Sequence, residues 1–182
     1  MASGFYTGTG DDGSTVVGAG RIAKDSTLMH AIGDVSELNA VLGVVLQNLT
    51  SEIISKHVRA IQNELFVVGA ELAASEDRRF APKRVVSERE VKALEGATDE
   101  VGAKAGQLKS FVLPGGPSGA AYLDYAATVA RRAERSVVRL SSERKSLNPA
   151  LKAYLNRLSS YLFYAARCVN KEEGAEEQRP SY

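Results

Sequence analysis

Ile54-Ser-Lys-His-Val58-Arg-Ala-Ile61-Gln-Asn-Glu-Leu65-Phe-Val-Val68-Gly-Ala-Glu-Leu72 places an apolar side chain at alternating steps of four and three residues. That spacing follows the 3.6-residue turn of an α-helix and lines one face with a heptad-like seam, suited to near-antiparallel packing in a bundle. Further along the chain the same alternation returns at Leu151, Leu155, Leu158, Leu162, Ala165 and Val169. Asn148-Pro149 opens that helix, with proline at a first-turn position, and Gly174 ends it. Leu123, Ala126, Val129 or Ala130, Ala133, Val137 and Leu140 mark another helix over about 118–142. Toward the N-terminus, Leu28, Ile32, Val35, Leu38, Leu42 and Val45 line a further helix. Gly33 and Gly43 weaken it by roughly 1 kcal/mol each relative to alanine. Ser87-Glu88-Arg89-Glu90 reads as a capping box that starts a polar helix ending near Lys104. Residues 78–86, with Pro82 and a run of charge, and Leu113-Pro-Gly-Gly-Pro117 read as connections. Ser14–Val17 is the single strand candidate. The expectation is an all-α, five-helix up-and-down bundle over residues 27–175, one domain overall. A Gly/Thr-rich loop segment, 1–26, precedes it, and an acidic tail, 176–182, follows, with the chain frayed and solvated from Glu172 onward.

Composition narrows the function classes. The chain has 182 residues, 44% hydrophobic and 25% charged, which is globular rather than disordered. Its formal net charge of +1 is too balanced for bulk nucleic-acid binding, which draws on a strongly basic surface. Any role of the basic residues is therefore local. Cys168 is the only cysteine, so no intrachain disulfide or zinc-type cysteine spacing exists, and His30 and His57 cannot make a metal site by themselves. The N-terminal residues have no basic leader or apolar run, and no stretch approaches the length needed to cross a membrane. The expected setting is cytoplasmic.

Two segments carry candidate chemistry. Arg131 and Arg135, four apart, share a helix face with Glu134 on its flank; Arg132 faces somewhat round and Arg139 extends the row. Such a cluster is either a solvated basic face or a phosphate clamp, because guanidinium forks match phosphate oxygens bidentately. Tyr6-Thr-Gly-Thr-Gly-Asp-Asp-Gly-Ser-Thr15 sets glycines among hydroxyls, with Lys24 just beyond. This is either a loose N-terminal segment or a cradle of backbone amides for phosphate. Asp11 and Asp12 would repel a bare triphosphate, so a bridging cation or outward-facing carboxylates are required. Gly18-Ala-Gly-Arg-Ile-Ala23 matches a dinucleotide glycine pattern but lacks the βαβ context, and no Walker-type loop is present. No Ser-His-Asp signal appears, and Cys168 reads as a small core residue.

Six ordered segments together resemble one family: Tyr6–Thr15, Lys24-Asp25, Gly33-Asp-Val-Ser-Glu-Leu-Asn39, Phe111-Val-Leu-Pro-Gly-Gly116, Arg131-Arg-Ala-Glu-Arg135 and Tyr154-Leu-Asn-Arg-Leu-Ser159. They are similar to the ATP:cob(I)alamin adenosyltransferases of the trimeric, propanediol-utilisation (PduO) type, over about residues 5–175. The resemblance implies a homotrimer with active sites between subunits, ATP held by the loop of one and the arginine helix of another. It implies that cobalt of cob(I)alamin attacks C5′ of ATP, giving adenosylcobalamin and triphosphate, with Mg²⁺ on the phosphates. By similarity, Thr7, Gly8, Thr9, Gly10, Thr15 and Lys24 contact ATP from the loop. Arg131, Arg132, Glu134, Arg135 and Asn156 contact it from the helices, and Arg131, Glu134 and Phe111 carry catalysis. Phe111 matches the aromatic that occupies the lower corrin face and excludes an axial ligand; without the resemblance it reads as an ordinary core aromatic. A reductase and a B12-dependent enzyme are the further partners implied, with neither nucleic acid nor membrane.

The sequence also departs from the family pattern. Gly8 stands where lysine is common, Ser36 where aspartate is, Ala127 where arginine is and Ser160 where aspartate is. The aspartate and arginine at the Ser36 and Ala127 positions are understood to join neighbouring subunits. Losing both avoids stranding one charge. A second class of function stays open, a nucleotide- or corrinoid-binding carrier or sensor on the same bundle, as does a purely structural helical oligomer.

Overall fold

The computed structural model describes residues 4–18, 20–75, 82–108 and 110–181. Ala19 and residues 78–81, which belong to two of the segments read above, lie outside the described residues. Five helices dominate: α1 Thr27–Gln47, α2 Glu52–Ala74, α3 Glu88–Ala105, α4 Ser118–Glu143 and α5 Pro149–Glu172. Ahead of them β1, Ser14–Val17, pairs antiparallel with β2, Gly20–Ala23, in the register Ser14↔Ala23 to Val17↔Gly20. The second strand is a correction to the expectation that Ser14–Val17 is the single strand candidate. Gly18, at φ +61°, serves a hairpin turn rather than a dinucleotide loop.

The seams of α2, α4 and α5 are buried at every position the periodicity predicts, from Ile54 to Leu72, Leu123 to Leu140 and Leu151 to Val169. Chain directions alternate along the sequence, and packing joins distant helices as well as consecutive ones. α4 packs on both α1 and α5, and α3 packs on α5. Thr27 donates to Glu143 at 2.5 Å and Arg132 reaches back to Glu37, so α1 and α4 are antiparallel. Arg157 donates to Glu95 and Lys104 approaches Glu172, so α3 and α5 run parallel. A reciprocal amide pair joins α1 to α2: Asn39 donates to the Gln62 carbonyl at 3.2 Å and Gln62 to that of Asn39 at 3.1 Å. The α2–α3 seam is looser and holds a cavity of about 270 Å³ beside His57, Glu64, Glu100 and Tyr154.

Two expectations fail in this architecture. At 21 residues and a mean hydropathy of 1.3, α1 is long and apolar enough to cross a membrane, although no stretch was expected to approach that. In the fold it buries Leu28, Ala31, Val35, Leu38, Leu42 and Val45, and its Asp34 and Glu37 pair with Arg132 of α4. Beyond Glu172 the chain is solvated for the most part but docked at 175–178 rather than frayed. Glu177 reaches Arg167, which is only 2% exposed, and the Gln178 carbonyl accepts from the Leu113 amide.

The capping box at α3 forms as expected in outline, with the Ser87 amide donating to Glu90 at 2.9 Å and the Ser87 hydroxyl accepting from the Arg89 amide at 3.3 Å. The Ser87 hydroxyl and the Arg89 guanidinium hold the Glu90 carboxyl down, from an ordinary 4.5 to about 2. A carboxyl whose pKa is depressed by folding stabilises the native state above its unfolded value, and that contribution fades as pH falls toward the folded one. Thermal unfolding followed between pH 4.5 and 2 is therefore expected to lose part of its midpoint through Glu90. Glu90→Gln should shallow that pH dependence; an unaltered slope would show that the cap carries no such linkage.

Candidate active site

The N-terminal loop is a series of tight turns. The Asp11 amide donates to the Gly8 carbonyl and the Gly13 amide to that of Gly10, both at 3.2 Å. Gly8 and Gly13 adopt φ of +68° and +82°, a region that disfavours side chains. Thr7 and Thr9 hydroxyls lie 2.9 Å apart, Lys24 donates through Nζ to the Gly10 carbonyl at 2.7 Å, and its amide reaches Gly13 at 2.9 Å. Lys24 thus centres its charge in the loop, while Thr15 sits half-buried at the start of the hairpin.

The two aspartates divide. Asp12 accepts from Arg21 at 2.8 Å on both oxygens and from the hydroxyl and amide of Ser14. The Ser14 hydroxyl, then its amide and Arg21, lower the Asp12 pKa, and Arg21 neutralises the charge locally. Asp11 stays exposed with no side-chain partner among the described residues. Arg21, which sequence reasoning missed, also donates to the Thr9 carbonyl at 2.5 Å.

On α4 the arginines separate by role. Arg131 and Arg135 are exposed and make no hydrogen bond or ion pair with any described residue. Arg132 is committed to Glu37, which raises its pKa, with Asp34 Oδ1 3.4 Å from its Nε. Ser136 donates to the same Asp34. Arg132 therefore fastens α4 to α1 rather than pointing free as its neighbours do. Asp34 and Glu37, three apart on α1, form the missed half of this contact; their spacing was legible, but their partner was not.

Asn156 of α5 is brought to Glu134 of α4, donating at 3.0 Å, so the two sequence-predicted residues meet. Arg157 donates to Asn156 Oδ1 and to Glu95 of α3, each at 2.7 Å, which extends a polar ladder across three helices. Phe111 is 82% exposed on the loop before α4, near Leu108, Val112 and Phe163, so it is no core aromatic. Ser36 turns its hydroxyl onto the Ile32 carbonyl at 2.8 Å and Ala127 is buried. Cys168 is buried, and burial first, then Glu172, pushes its thiol up to about 11, the opposite of an activated nucleophile.

Cationic forks, amide-rich turns and hydroxyls can bind a polyphosphate and stabilise it as a leaving group. Residues 5–169 match the family described as cobalamin adenosyltransferase. The chain belongs to the cobalamin adenosyltransferase family. It is 40% identical over 174 residues to a corrinoid adenosyltransferase of Bacillus subtilis, covering 93% of this chain and 88% of that one. To the corrinoid adenosyltransferase PduO of Salmonella typhimurium it is 38% identical over 169 residues, 92% of this chain, and spans 50% of that relative's length. Among solved structures, a phenylalanine-to-histidine variant of a PduO-type ATP:corrinoid adenosyltransferase from Lactobacillus reuteri, complexed with cobalamin and ATP, superposes with a TM-score of 0.89. It is 33% identical, with 96% of this chain and 95% of that one covered. An arginine-to-lysine variant from the same organism, complexed with ATP, gives 0.88 at 32% identity, covering 97% and 100%.

Proposed function

We propose that this chain transfers the 5′-deoxyadenosyl group of ATP to the cobalt of a reduced corrinoid such as cob(I)alamin. The cobalt lone pair forms the Co–C5′ bond, the C5′–O bond breaks, and its electron pair leaves with triphosphate. Cobalt(I) is itself the nucleophile, so the protein's task is to orient C5′ and spread the leaving group's charge. The observation that carries this reading is the free pair Arg131 and Arg135, exposed beside the Glu134–Asn156 contact on a fold shared with ATP- and cobalamin-bound relatives. Thr7, Gly8, Thr9, Gly10, Thr15 and Lys24 supply the opposing loop. Mg²⁺ bound with ATP would offset the phosphate charge, and the exposed Asp11 would be the loop carboxylate available to help hold it.

The two halves belong to different copies of the chain in this proposal, arranged as a homotrimer. α1 starts beside Glu143, and from there Arg135 lies eight residues back along α4, about 12 Å at 1.5 Å per residue. Phe5, Tyr6 and Val16 project from the N-terminal arm at 98%, 73% and 64% exposure, apolar surface suited to a neighbouring copy. Arg132, held by α1, acts by fixing the arginine helix. A cytoplasmic setting is part of the same proposal and suits a buried, unpaired Cys168.

Reduced cobalamin with MgATP is expected to yield adenosylcobalamin and free triphosphate in equal amounts, read from the cobalamin spectrum and phosphate analysis. Tight ATP binding without spectral change would favour a carrier instead. A monomer in solution would dismantle the shared site.

A further inference from the structure

α5 ends in a two-bond turn around Gly174, at φ +70°: the Gly174 amide donates to the Lys171 carbonyl at 3.3 Å and the Ala175 amide to that of Asn170 at 2.8 Å. The turn sends the chain back over the end of the bundle, onto the loop before α4. There the Leu113 amide donates to the Gln178 carbonyl at 2.8 Å. Glu177 accepts from Asn170 Nδ2 at 3.1 Å, and its Oε1 lies 2.6 Å from Nε of Arg167, an ion pair whose N–H is not aimed along the contact.

The same two α5 side chains grip the loop from beneath. Arg167 donates to Asp124 Oδ2 at 2.6 Å, and that oxygen also accepts the Gly115 amide at 3.1 Å. Asn170 donates to the Gly115 carbonyl at 3.2 Å. Gly116 packs so tightly that a Cβ there would stand 2.0 Å from Asn170 Oδ1. The loop is therefore held by three buried polar residues, Asp124, Arg167 and Asn170, and by the returning tail. Phe111 sits two residues before Leu113, and Arg167 lies 5.1 Å over the ring of Phe163, which flanks Phe111.

We propose that residues 175–178 are a strap that fixes the loop presenting Phe111, and that Glu177 is a positioning residue for Phe111 at the corrin. The positioning role rests on the reading of Phe111 as the lower-face group. An exposed ring on a glycine-rich loop cannot exclude a ligand unless its backbone is held, and the strap holds that backbone.

Two variants test it: Glu177→Gln, which removes the charge at a partly exposed site, and a chain ending at Gly174. Amide hydrogen exchange across residues 110–117 is expected to rise about tenfold in the shortened chain and severalfold in Glu177→Gln, with α1 and α2 unchanged. With MgATP, the KM for reduced cobalamin should rise about tenfold in Glu177→Gln while the KM for ATP stays put. In a Phe111→Ala background, Glu177→Gln should cause little further loss of transfer. Unchanged exchange over 110–117, an equal rise in the KM for ATP, or full additivity with Phe111→Ala overturns the proposal. The exchange measurement needs no turnover. An inactive wild-type chain would defeat the transferase reading, and exchange would still decide the strap.

Discussion

Arg131→Ala is expected to lower adenosyl transfer by about 10²–10³-fold, the scale of losing one preorganised donor from a site where charge develops. The magnitude follows from what Arg131 does not do for the fold. It is exposed and makes no hydrogen bond or ion pair with a described residue, so its removal should shift stability by no more than about 0.5 kcal/mol. Arg131→Lys keeps the charge but loses the planar fork, and should fall between the wild type and alanine. Calorimetric binding of triphosphate should weaken in parallel with kcat/KM for ATP. Arg59→Ala, removing an equal charge from the exposed face of α2, is the control and should change neither. Equal losses in both variants would mean that bulk charge, not the α4 clamp, binds the phosphates. Arg132→Ala differs in kind: it releases Glu37 and Asp34, so its effect should combine a loosened α1–α4 contact with weaker catalysis.

Much of this was legible because helix periodicity reports burial directly. Every seam residue read on α2, α4 and α5 is in the core, and Ser87-Glu88-Arg89-Glu90 caps α3 through local contacts. Arg131, Arg135, Glu134 and Asn156 were singled out together from segment order and family resemblance; that Asn156 meets Glu134 directly is seen only in the fold. What stayed hidden depends on partners distant in sequence. Nothing local to Arg132 says that Glu37, 95 residues earlier, will occupy it. Arg21 lies within the glycine-patterned segment and drew no attention there, yet it neutralises Asp12 and so relieves the loop's own repulsion of phosphate. β2 was missed because Gly20-Arg-Ile-Ala23 is short and gains its structure only from β1. The tail was read as solvated from its acidity, although one of its carboxylates has a buried arginine to meet. Phe111 reads as a core residue by type alone; the family resemblance placed it at the corrin instead, and its 82% exposure fits that placement.

Arg167→Met is expected to destabilise the protein by about 3–5 kcal/mol, because it strands a buried carboxylate. Asp124 is 6% exposed, and with Arg167 gone it would keep only the Gly115 amide among the partners described. For a chain of this size the unfolding midpoint should drop by roughly 6–20 °C. Asp124→Leu combined with Arg167→Met removes both charges and should recover most of that loss, since a buried ion pair contributes little net stability over apolar packing. Glu177→Gln should cost far less, because Glu177 is 24% exposed and water can replace what it loses. The contrast separates two functions of one guanidinium. Toward Asp124, Arg167 closes the end of the bundle. Toward Glu177, it fastens a strap whose loss should be felt in the Phe111 loop before it is felt in the melting temperature. A single variant no worse than the double would show that the Asp124 charge is not stranded, and that packing on Phe163 accounts for the arginine instead.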